Sequence, residues 1–375
     1  MKVVSIEPTP NPNSMKINLD ETLDPGVKFT FGQKDKANYP DYVKSILAIP
    51  GLVSIFQVSD FMSIQRHPNA DWEEILSSIR TVLGEEGVTG KKNAEEHLSF
   101  GDIQVFIQNF RRIPMLVKVS NGKEEKRFPI PKRFQDAVMK ASKAVKNMLI
   151  ERKWEAKEPR YGTLEEVGTD LVDEIDAAYD DNRLQLLVEE AFHFDPNKKE
   201  KKILDEDEFM KKIASSDWRM RFSALSQSSA DPQKIDLYIK MAKDPKMSIR
   251  RLCIVYLGII KGEKVSQPLC EALKDEAVAV RRTAGDALTD LGDPKAIGPM
   301  TETLKDSNKL VRWRAARFLY ELGDEGALQI LKETADDPEF EVRMQIGQAI
   351  ERIESGAKAQ GSVWQQMTNK SDEKK

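Results

Sequence analysis

The sequence predicts a multidomain chain that begins with two α+β domains and ends in an all-α solenoid. Three observations lead to this prediction. Short segments rich in Val, Ile and Phe alternate with helical patterns near the N-terminus, a second strand-and-helix pattern fills the middle, and an aspartate recurs every 31 residues in the last third. The predicted parts are a first domain over 1–90, a middle α+β domain over 98–193, a solenoid over 205–356 and a polar tail over 357–375.

The composition is that of ordinary globular domains. The chain has 375 residues, 62 acidic and 58 basic side chains, a net charge of -4 and 40% hydrophobic residues. These values exclude a collagen-like, mucin-like or wholly disordered chain. The sequence has no apolar run of 18 residues and no signal-peptide pattern at its start, so we expect a cytoplasmic protein without a membrane partner.

The first domain shows five strand patterns and two helical ones. Asp71 is expected to cap the second helix, because a carboxylate at the N-cap accepts hydrogen bonds from free backbone N–H groups. The predicted strands cover 2–7, 14–19, 27–31, 52–58 and 61–66, and the predicted helices cover 40–49 and 71–83.

The most distinctive string of this domain is EPTPNPNSMKI, from Glu7 to Ile17. Alternating proline and asparagine impose an extended, turn-rich path. One interpretation is a contact surface for a partner, with the side chains of Asn11, Asn13, Ser14 and Lys16. The other is a shaped turn that leads into the strand Met15–Leu19.

This string resembles the TPNPN-x-x-K signature of the N-terminal domain of Nfu-type iron-sulfur scaffold proteins. The resemblance continues in LAIPGLVSIFQVSDFMSIQRHPNADWEEILSSI, residues 47–79, and covers about residues 3–84. It implies the fold of that domain. The family holds its cluster with a CxxC motif in a separate C-terminal domain, and residues 1–252 of this chain contain no cysteine.

The middle domain is interpreted from pattern alone. The pair Asn121-Gly122 between two apolar segments predicts a β-hairpin with a type I′ turn. A helix is expected from Phe134 to about Lys153, and a second helical stretch near 169–192. The buried face of the first helix is predicted to carry Val138, Ala141, Val145 and Leu149. The charged segment 195–202 is the predicted boundary before the solenoid.

The repeat is defined by two residue types at fixed spacing. Each aspartate is followed six residues later by an arginine, and apolar residues such as Val280, Ala284 and Leu288 mark one helix face. With a degenerate earlier copy in DWRMRFSAL, this predicts five helix–turn–helix repeats, similar to short HEAT-like repeats. The paired residues are Asp244 and Arg250, Asp275 and Arg281, Asp306 and Arg312, and Asp337 and Arg343.

The repeated arginines have two interpretations. They could bind an acidic or phosphate-bearing partner with bidentate contacts. Alternatively, each arginine could bond an aspartate or a turn carbonyl of an adjacent repeat, and the invariant spacing favours this structural role. Four less regular arginines are expected to face solvent and to bind a partner: Arg251, Arg282, Arg314 and Arg317.

The residues predict no catalytic, cofactor or metal site. Cys253 occupies an inward helix position, where a thiol acts as a small hydrophobe, and Cys270 is expected to be partly exposed without being an activated nucleophile. His67, His97 and His193 are expected to face solvent or cap helices. Binding of iron or an iron-sulfur cluster is implied only by the family resemblance.

The domain order resembles the conserved virulence factor C family, which implies an influence on virulence-gene expression in pathogenic relatives. We interpret the chain as a non-enzymatic adaptor with a protein partner on the solenoid surface. The expected partners are iron-sulfur apoproteins or assembly factors.

Two alternatives stay open at this point. One is an enzyme or modifier acting through a solenoid groove, with Trp313, Phe318 and Tyr320 as its aromatic residues. The other is a regulator that binds nucleic acid. The charge of 205–354, with 24 basic and 27 acidic side chains and a net of -3, disfavours the second alternative.

Overall fold

The computed structural model describes residues 2–9, 11, 13–24, 27–34, 36–83, 102–122, 124–195, 204–357 and 359. His97, most of the predicted boundary segment 195–202 and most of the predicted tail lie outside these residues. Two compact units divide the chain: residues 1–101 together with 294–375, and residues 102–293. In the described part, no helix is both long enough and apolar enough to cross a membrane.

The N-terminal domain is an antiparallel five-stranded sheet with two helices. The strand order is β1-β2-β5-β4-β3. The strands are β1 (Val3–Pro8), β2 (Ser14–Leu19), β3 (Lys28–Gly32), β4 (Leu52–Val58) and β5 (Phe61–Arg66), and the helices are α1 (Asp41–Leu47) and α2 (Trp72–Val82). All seven predicted elements are confirmed, with bounds that differ by two residues or fewer.

The core of this domain lies between one sheet face and the helices. Ile17, Ile55 and Ile64 come from the three central strands and are fully buried with Trp72 of α2. The period of two along each strand and the 3.6-residue period of α2 place these residues on facing surfaces. The predicted cap is confirmed, because the Asp71 carboxylate accepts a hydrogen bond from the backbone N–H of Glu73 at 2.6 Å.

The middle domain has a second antiparallel sheet, with strand order β8-β7-β6-β9. Four helices accompany it, and three of them pack buried apolar residues against those of the sheet. The strands are β6 (Asp102–Phe110), β7 (Ile113–Ser120), β8 (Glu125–Pro129) and β9 (Arg152–Tyr161), and the helices are α3 (Lys132–Ala141), α4 (Met148–Glu151), α5 (Leu164–Ala178) and α6 (Asp181–Glu190).

The predicted hairpin forms between β7 and β8, but Asn121-Gly122 is not the centre of its turn, because the Asn121 N–H donates to the Glu124 carbonyl at 3.2 Å. Four residues, 121–124, connect β7 and β8, and the Asn121 side chain accepts a hydrogen bond from the Glu124 N–H at 2.8 Å. That side-chain contact stabilises the turn. A two-residue connection, Arg111-Arg112, joins β6 and β7, with φ angles of 45° and 73°.

The predicted helix from Phe134 to about Lys153 is wrong in its second half. Helix α3 ends at Ala141, and Leu149, expected on the buried face, is 68% exposed. Residues 152–161 form β9, which pairs only with β6 in the described sheet. Because β9 is a charged edge strand with exposed side chains on both faces, it lacks the alternation that identifies strands.

The C-terminal part consists of helix pairs, as the repeat predicts. Val280, Ala284 and Leu288 are fully buried on one helix face. The second unit contains α7 (Glu206–Ile213), α8 (Trp218–Ser226), α9 (Ile235–Met241), α10 (Met247–Ile260), α11 (Glu263–Ala272) and α12 (Val278–Leu291), and the first contains α13 (Ile297–Thr303), α14 (Lys309–Leu322), α15 (Leu328–Glu333) and α16 (Phe340–Ser355). These ten helices form the five predicted pairs.

Candidate functional site

The repeated arginines hold consecutive repeats together. Arg250 Nε and Nη2 donate to the two carboxylate oxygens of Asp275 in the next repeat, at 2.8 and 2.9 Å. Its Nη1 donates to the carbonyls of Asp244 and Pro245 in its own turn, at 3.0 and 3.1 Å. All three nitrogens are therefore used within the protein, which is the structural role.

The same arrangement recurs along the repeats. Arg221 Nε and Nη2 bind Asp244 at 2.7 and 2.9 Å, and Arg312 Nε and Nη2 bind Asp337 at 2.6 and 3.0 Å. Each accepting aspartate also takes a backbone N–H two residues later, as Asp244 does from Lys246 at 2.8 Å. The 31-residue spacing thus combines a turn with a link to the neighbouring repeat.

A second charged site lies within residues 102–293, where α5 and β9 of the middle domain meet α10. We call Arg160, Glu174 and Arg251 the junction cluster. Arg160 Nη1 and Nη2 donate to the Glu174 carboxylate at 3.2 and 2.8 Å, and Arg251 Nη2 lies 3.8 Å from it. The Glu174 side chain is only 7% exposed, so this is a buried charge with two cationic partners.

Burial and charge compete in the junction cluster. Burial alone would raise the pKa of Glu174, but Arg251 and Arg160 outweigh it and lower that pKa. Burial lowers the pKa of Arg251 to about 10, although Glu174 opposes the change. Burial and the nearby charge of Glu174 raise the pKa of Asp170. Perturbed groups of this kind are typical of functional sites and also of structural ion pairs.

A small cavity adjoins the cluster. Its volume is about 40 Å³, and Arg160, Asp170 and Arg251 line it together with Tyr161 and Met247. A water molecule needs roughly 10–15 Å³ of such volume, whereas ligand pockets span roughly 300–1,000 Å³. The cavity therefore has room for water-sized groups and is far smaller than a pocket for a substrate or nucleotide.

For three of the four less regular arginines, the structure corrects the expectation that they face solvent. Arg251 is in the junction cluster, and Arg282 is buried with its guanidinium 4.8 Å from the ring centre of Tyr161. Arg317 is buried in an ion pair with Glu321 at 2.7 Å. Contacts within their own units thus cover all three.

The fourth of these residues, Arg314, is half-buried beside the ring of Trp313. A role in binding a partner stays a prediction for all four arginines. Arg251, Arg282 and Arg317 each have a charged or aromatic side chain of their own unit beside the guanidinium group.

The described residues of the TPNPN segment, Thr9, Asn11 and Asn13, form a shaped turn with Ser14. The Thr9 hydroxyl donates to the carbonyls of Asn11 and Ser14 at 3.0 and 3.1 Å, and the Asn11 side chain accepts from the Asn13 N–H at 2.9 Å. Strand β2 begins at Ser14, as the turn interpretation predicts. Asn13 and Lys16 are buried, and Lys16 Nζ lies 5.0 Å from the ring centre of Phe61.

Of the proposed contact residues in this segment, Asn11 is exposed and Ser14 is half-buried. The Ser14 hydroxyl shares a hydrogen bond with the Ser63 hydroxyl at 3.0 Å. A partner could therefore reach Asn11 most directly. Its role in binding stays a prediction.

The two thiols are not activated. Cys253 is fully buried on α10, as expected for a small hydrophobe, and burial together with Asp244 raises its pKa far above the ordinary range. Cys270 is half-buried, and burial and Asp293 raise its pKa as well. Thiolates are the forms that bind metals and act as nucleophiles, and these environments oppose their formation.

The remaining candidate groups are dispersed. Across the described ranges, no three His, Cys, Asp or Glu side chains are grouped so as to hold a metal ion. His193 is exposed and His67 is half-buried. Trp313 and Phe318, two of the aromatic residues considered for a catalytic groove, are buried in the repeat core.

Sequence reasoning missed Arg160 and Glu174. Glu174 follows Val167 and Leu171 at helical spacing on the buried face of α5. A carboxylate on an apolar helix face is the signal that could have identified it, because a buried charge requires a partner. Arg160 lies on β9, beyond the predicted helix that ends near Lys153, in a stretch for which no element was predicted, and so gave no comparable signal.

Comparisons with known proteins divide the chain in the same order. A family model described as the N-terminal part of the scaffold protein Nfu/NifU matches residues 4–90. A model described as virulence factor matches 108–188, and one described as HEAT repeats matches 267–351. The fold class of two α+β parts followed by HEAT-like helical repeats is therefore confirmed.

Relatives are similar over their whole length. "Uncharacterized protein YpgR" of Bacillus subtilis (strain 168) is 46% identical, with 98% of each chain covered. "Conserved virulence factor C" of Staphylococcus aureus (strain MRSA252) is 41% identical, with 99% of this chain and 100% of the relative covered.

A solved structure is similar to a smaller part. The X-ray structure of protein SAV1430 from Staphylococcus aureus is 38% identical and covers 22% of this chain and 98% of its own, with a TM-score of 0.21. The full-length relatives carry the assignment. On their identity and coverage, the chain belongs to the conserved virulence factor C family.

Proposed function

We propose that this chain is a non-enzymatic cytoplasmic adaptor that binds a protein partner through its Nfu-type domain and its HEAT-like repeats. One observation carries the proposal. An Nfu-type N-terminal domain is joined to helical repeats in a chain whose first 252 residues contain no cysteine. The domain therefore lacks thiolates for cluster ligation, and contact with another protein is the function it retains.

The two cysteines that the chain does have support the same proposal. Both lie in the repeats, and burial raises the pKa of each. Holding a cluster would require Cys253 to leave the buried face of α10 and lose its proton. An unfavourable pKa and loss of core packing both oppose this step.

The partner class follows from the N-terminal domain. We propose that it is an iron-sulfur apoprotein or an assembly factor, and that the chain assists maturation by holding its partner. A regulatory effect on virulence would then be an indirect consequence of altered iron-sulfur proteins in the relatives named conserved virulence factor C.

The experiment compares the wild type with a Cys253→Ala/Cys270→Ala variant. Each protein is incubated anaerobically with iron and sulfide, desalted and analysed for metal and visible absorption. Each is also used for affinity capture from iron-replete and iron-starved cells. We expect no stoichiometric cluster in either protein, and capture of the same iron-sulfur apoproteins or assembly factors by both.

Two results would contradict the proposal in different ways. A stoichiometric cluster present only in the wild type would make the chain a carrier. Failure to capture any iron-sulfur apoprotein or assembly factor, with no cluster formed, would reject the iron-sulfur role of the adaptor.

A further inference from the structure

The last repeat ends on the N-terminal domain. Residues 1–101 and 294–375 form one compact unit, and within it α16 contacts α2 and β1. A helical repeat array needs an atypical element at its end, because the outer face of the last repeat has no following repeat to cover it. We propose that the N-terminal domain is this terminal cap and that it recognises the first turns of α16.

The arginine pattern of the repeats continues onto the cap. Arg312 binds Asp337 of the following repeat. Arg343 bonds the carbonyls of its own turn in the same way, with Nη1 2.7 Å from Asp337 O. Its Nη2 donates to Glu73 of α2 at 2.8 Å. Glu73 thus takes the place of the aspartate that a sixth repeat would supply.

A buried ion pair lies beside this contact. Arg66 Nη2 donates to Glu341 Oε1 at 2.6 Å, and the side chains are 3% and 10% exposed. Arg66 Nη1 also donates to the carbonyl of Ala70 at 2.7 Å, and its guanidinium lies 4.9 Å from the ring centre of Trp72. The arginine is therefore held from within the N-terminal domain, with one nitrogen directed at α16.

The TPNPN turn supports this arrangement. The backbone N–H of Arg66 donates to the carbonyl of Asn13 at 3.0 Å, so the turn is bonded to the end of β5 that carries Arg66. Part of the segment expected to contact another protein therefore positions a contact inside this chain.

Apolar and polar contacts complete the surface. Phe340 and Met344 of α16 pack against the apolar core of the N-terminal domain. Gln348 Nε2 donates to the carbonyl of Ile6 on β1 at 3.4 Å. Positions 340, 344 and 348 share one helix face, so the N-terminal domain contacts a single face of α16. The domain therefore fits a helix that carries two apolar residues and a glutamine along one face, with an acidic residue and a basic residue beside them, as Glu341 and Arg343 are here.

The test uses hydrogen exchange of backbone amides in the full chain. Glu341→Gln leaves Arg66 buried opposite an uncharged amide, which is a costly arrangement. We expect exchange in both α2 and α16 to be at least about tenfold faster than in the wild type. The matched control is Glu351→Gln, an exposed residue on α16, for which we expect wild-type exchange in both helices.

A second variant distinguishes loss of the ion pair from general misfolding of the Glu341→Gln variant. Arg66→Met/Glu341→Leu replaces the ion pair by apolar side chains, which are often tolerated at such sites, so we expect slow exchange in both helices again. If exchange in α2 of the Glu341→Gln variant stays at the wild-type rate, the proposal is overturned, whether exchange in α16 becomes faster or is also unchanged. Fast exchange in both helices of the Glu351→Gln control would overturn it as well.

Discussion

Glu174 and Arg251 join the middle domain to the second repeat. The carboxylate and the guanidinium are 3.8 Å apart, and both side chains are largely buried. Arg160 binds the same carboxylate from β9. An arginine that the repeat pattern assigned to the solvent-facing surface is instead part of an internal charge cluster, because a buried carboxylate of the neighbouring domain requires cations.

The junction cluster predicts a large effect of removing its anion. Glu174→Gln leaves Arg160 and Arg251 buried without their shared counter-charge, which typically costs about 3–5 kcal/mol of unfolding free energy. Urea unfolding at pH 7 measures the loss. The control is Asp136→Asn, an exposed carboxylate on α3, which should change the free energy by less than about 0.5 kcal/mol. A loss in Glu174→Gln no larger than in this control would contradict the role of the cluster.

The same variant predicts a change in pH dependence. The pKa of Glu174 is lowered in the folded protein, so its stabilising contribution is complete above the unfolded pKa of about 4.3 and is lost as the pH falls through the folded pKa. The free-energy difference between the wild type and Glu174→Gln should therefore shrink from pH 6 towards pH 3.

Urea unfolding at a series of pH values tests this direction. Asp170 must be included in the fit, because Glu174 contributes to raising its pKa. A difference that stays constant over this range would show that Glu174 is not held ionised by Arg160 and Arg251.

The links between repeats predict a second stability effect. Asp275→Asn removes the carboxylate charge that accepts hydrogen bonds from two nitrogens of Arg250. We expect the free energy of unfolding to fall by roughly 2–3 kcal/mol, since hydrogen bonds to charged groups contribute more than neutral ones. Asp290→Asn, at an exposed position on α12, is the matched control. Chemical unfolding of both variants checks the prediction, and equal midpoints would contradict it.

Local patterns were sufficient for much of the fold. The strands and helices of the N-terminal domain alternate apolar residues with period 2 or 3.6, and the 31-residue spacing identifies the repeats from single positions such as Asp275. Both signals depend on neighbours in the chain. The sequence also favoured the interpretation that the repeated arginines link adjacent repeats, because stacking of repeats requires a fixed spacing.

The rest depends on contacts between distant residues. Strand β9 was missed because a charged edge strand such as the one around Trp154 has no apolar alternation. The burial of Arg251 and Arg282 depends on the middle domain, and Arg66 and Glu341 are 275 residues apart. No local pattern encodes such partners, so the sequence could identify the arginines but not what they bind.

Two glycines on helices should respond to alanine in opposite directions. A Cβ at Gly168 on α5 would overlap the ring of Phe128, so Gly168→Ala should destabilise the protein by about 1–3 kcal/mol through overpacking. Gly298 on α13 has open space around it, so Gly298→Ala should stabilise by up to about 1 kcal/mol through helix propensity. Thermal unfolding compares them, and a Gly168→Ala variant that is no less stable than the wild type would contradict the packing at Phe128.

The thiols predict a specific order of chemical modification. Cys253 is fully buried with a strongly raised pKa, so it should react with a disulfide reagent at pH 7.5 only after the helix opens. Cys270 is half-buried, so it should react in the native state, but more slowly than a free thiol because its pKa is also raised. Time courses of the wild type, Cys270→Ala and Cys253→Ala separate the two. We expect Cys270→Ala to be modified only when denaturant is added, and Cys253→Ala to follow the native phase of the wild type. Rapid native modification of Cys270→Ala would show that the Cys253 thiol is accessible and would reopen its use as a metal ligand.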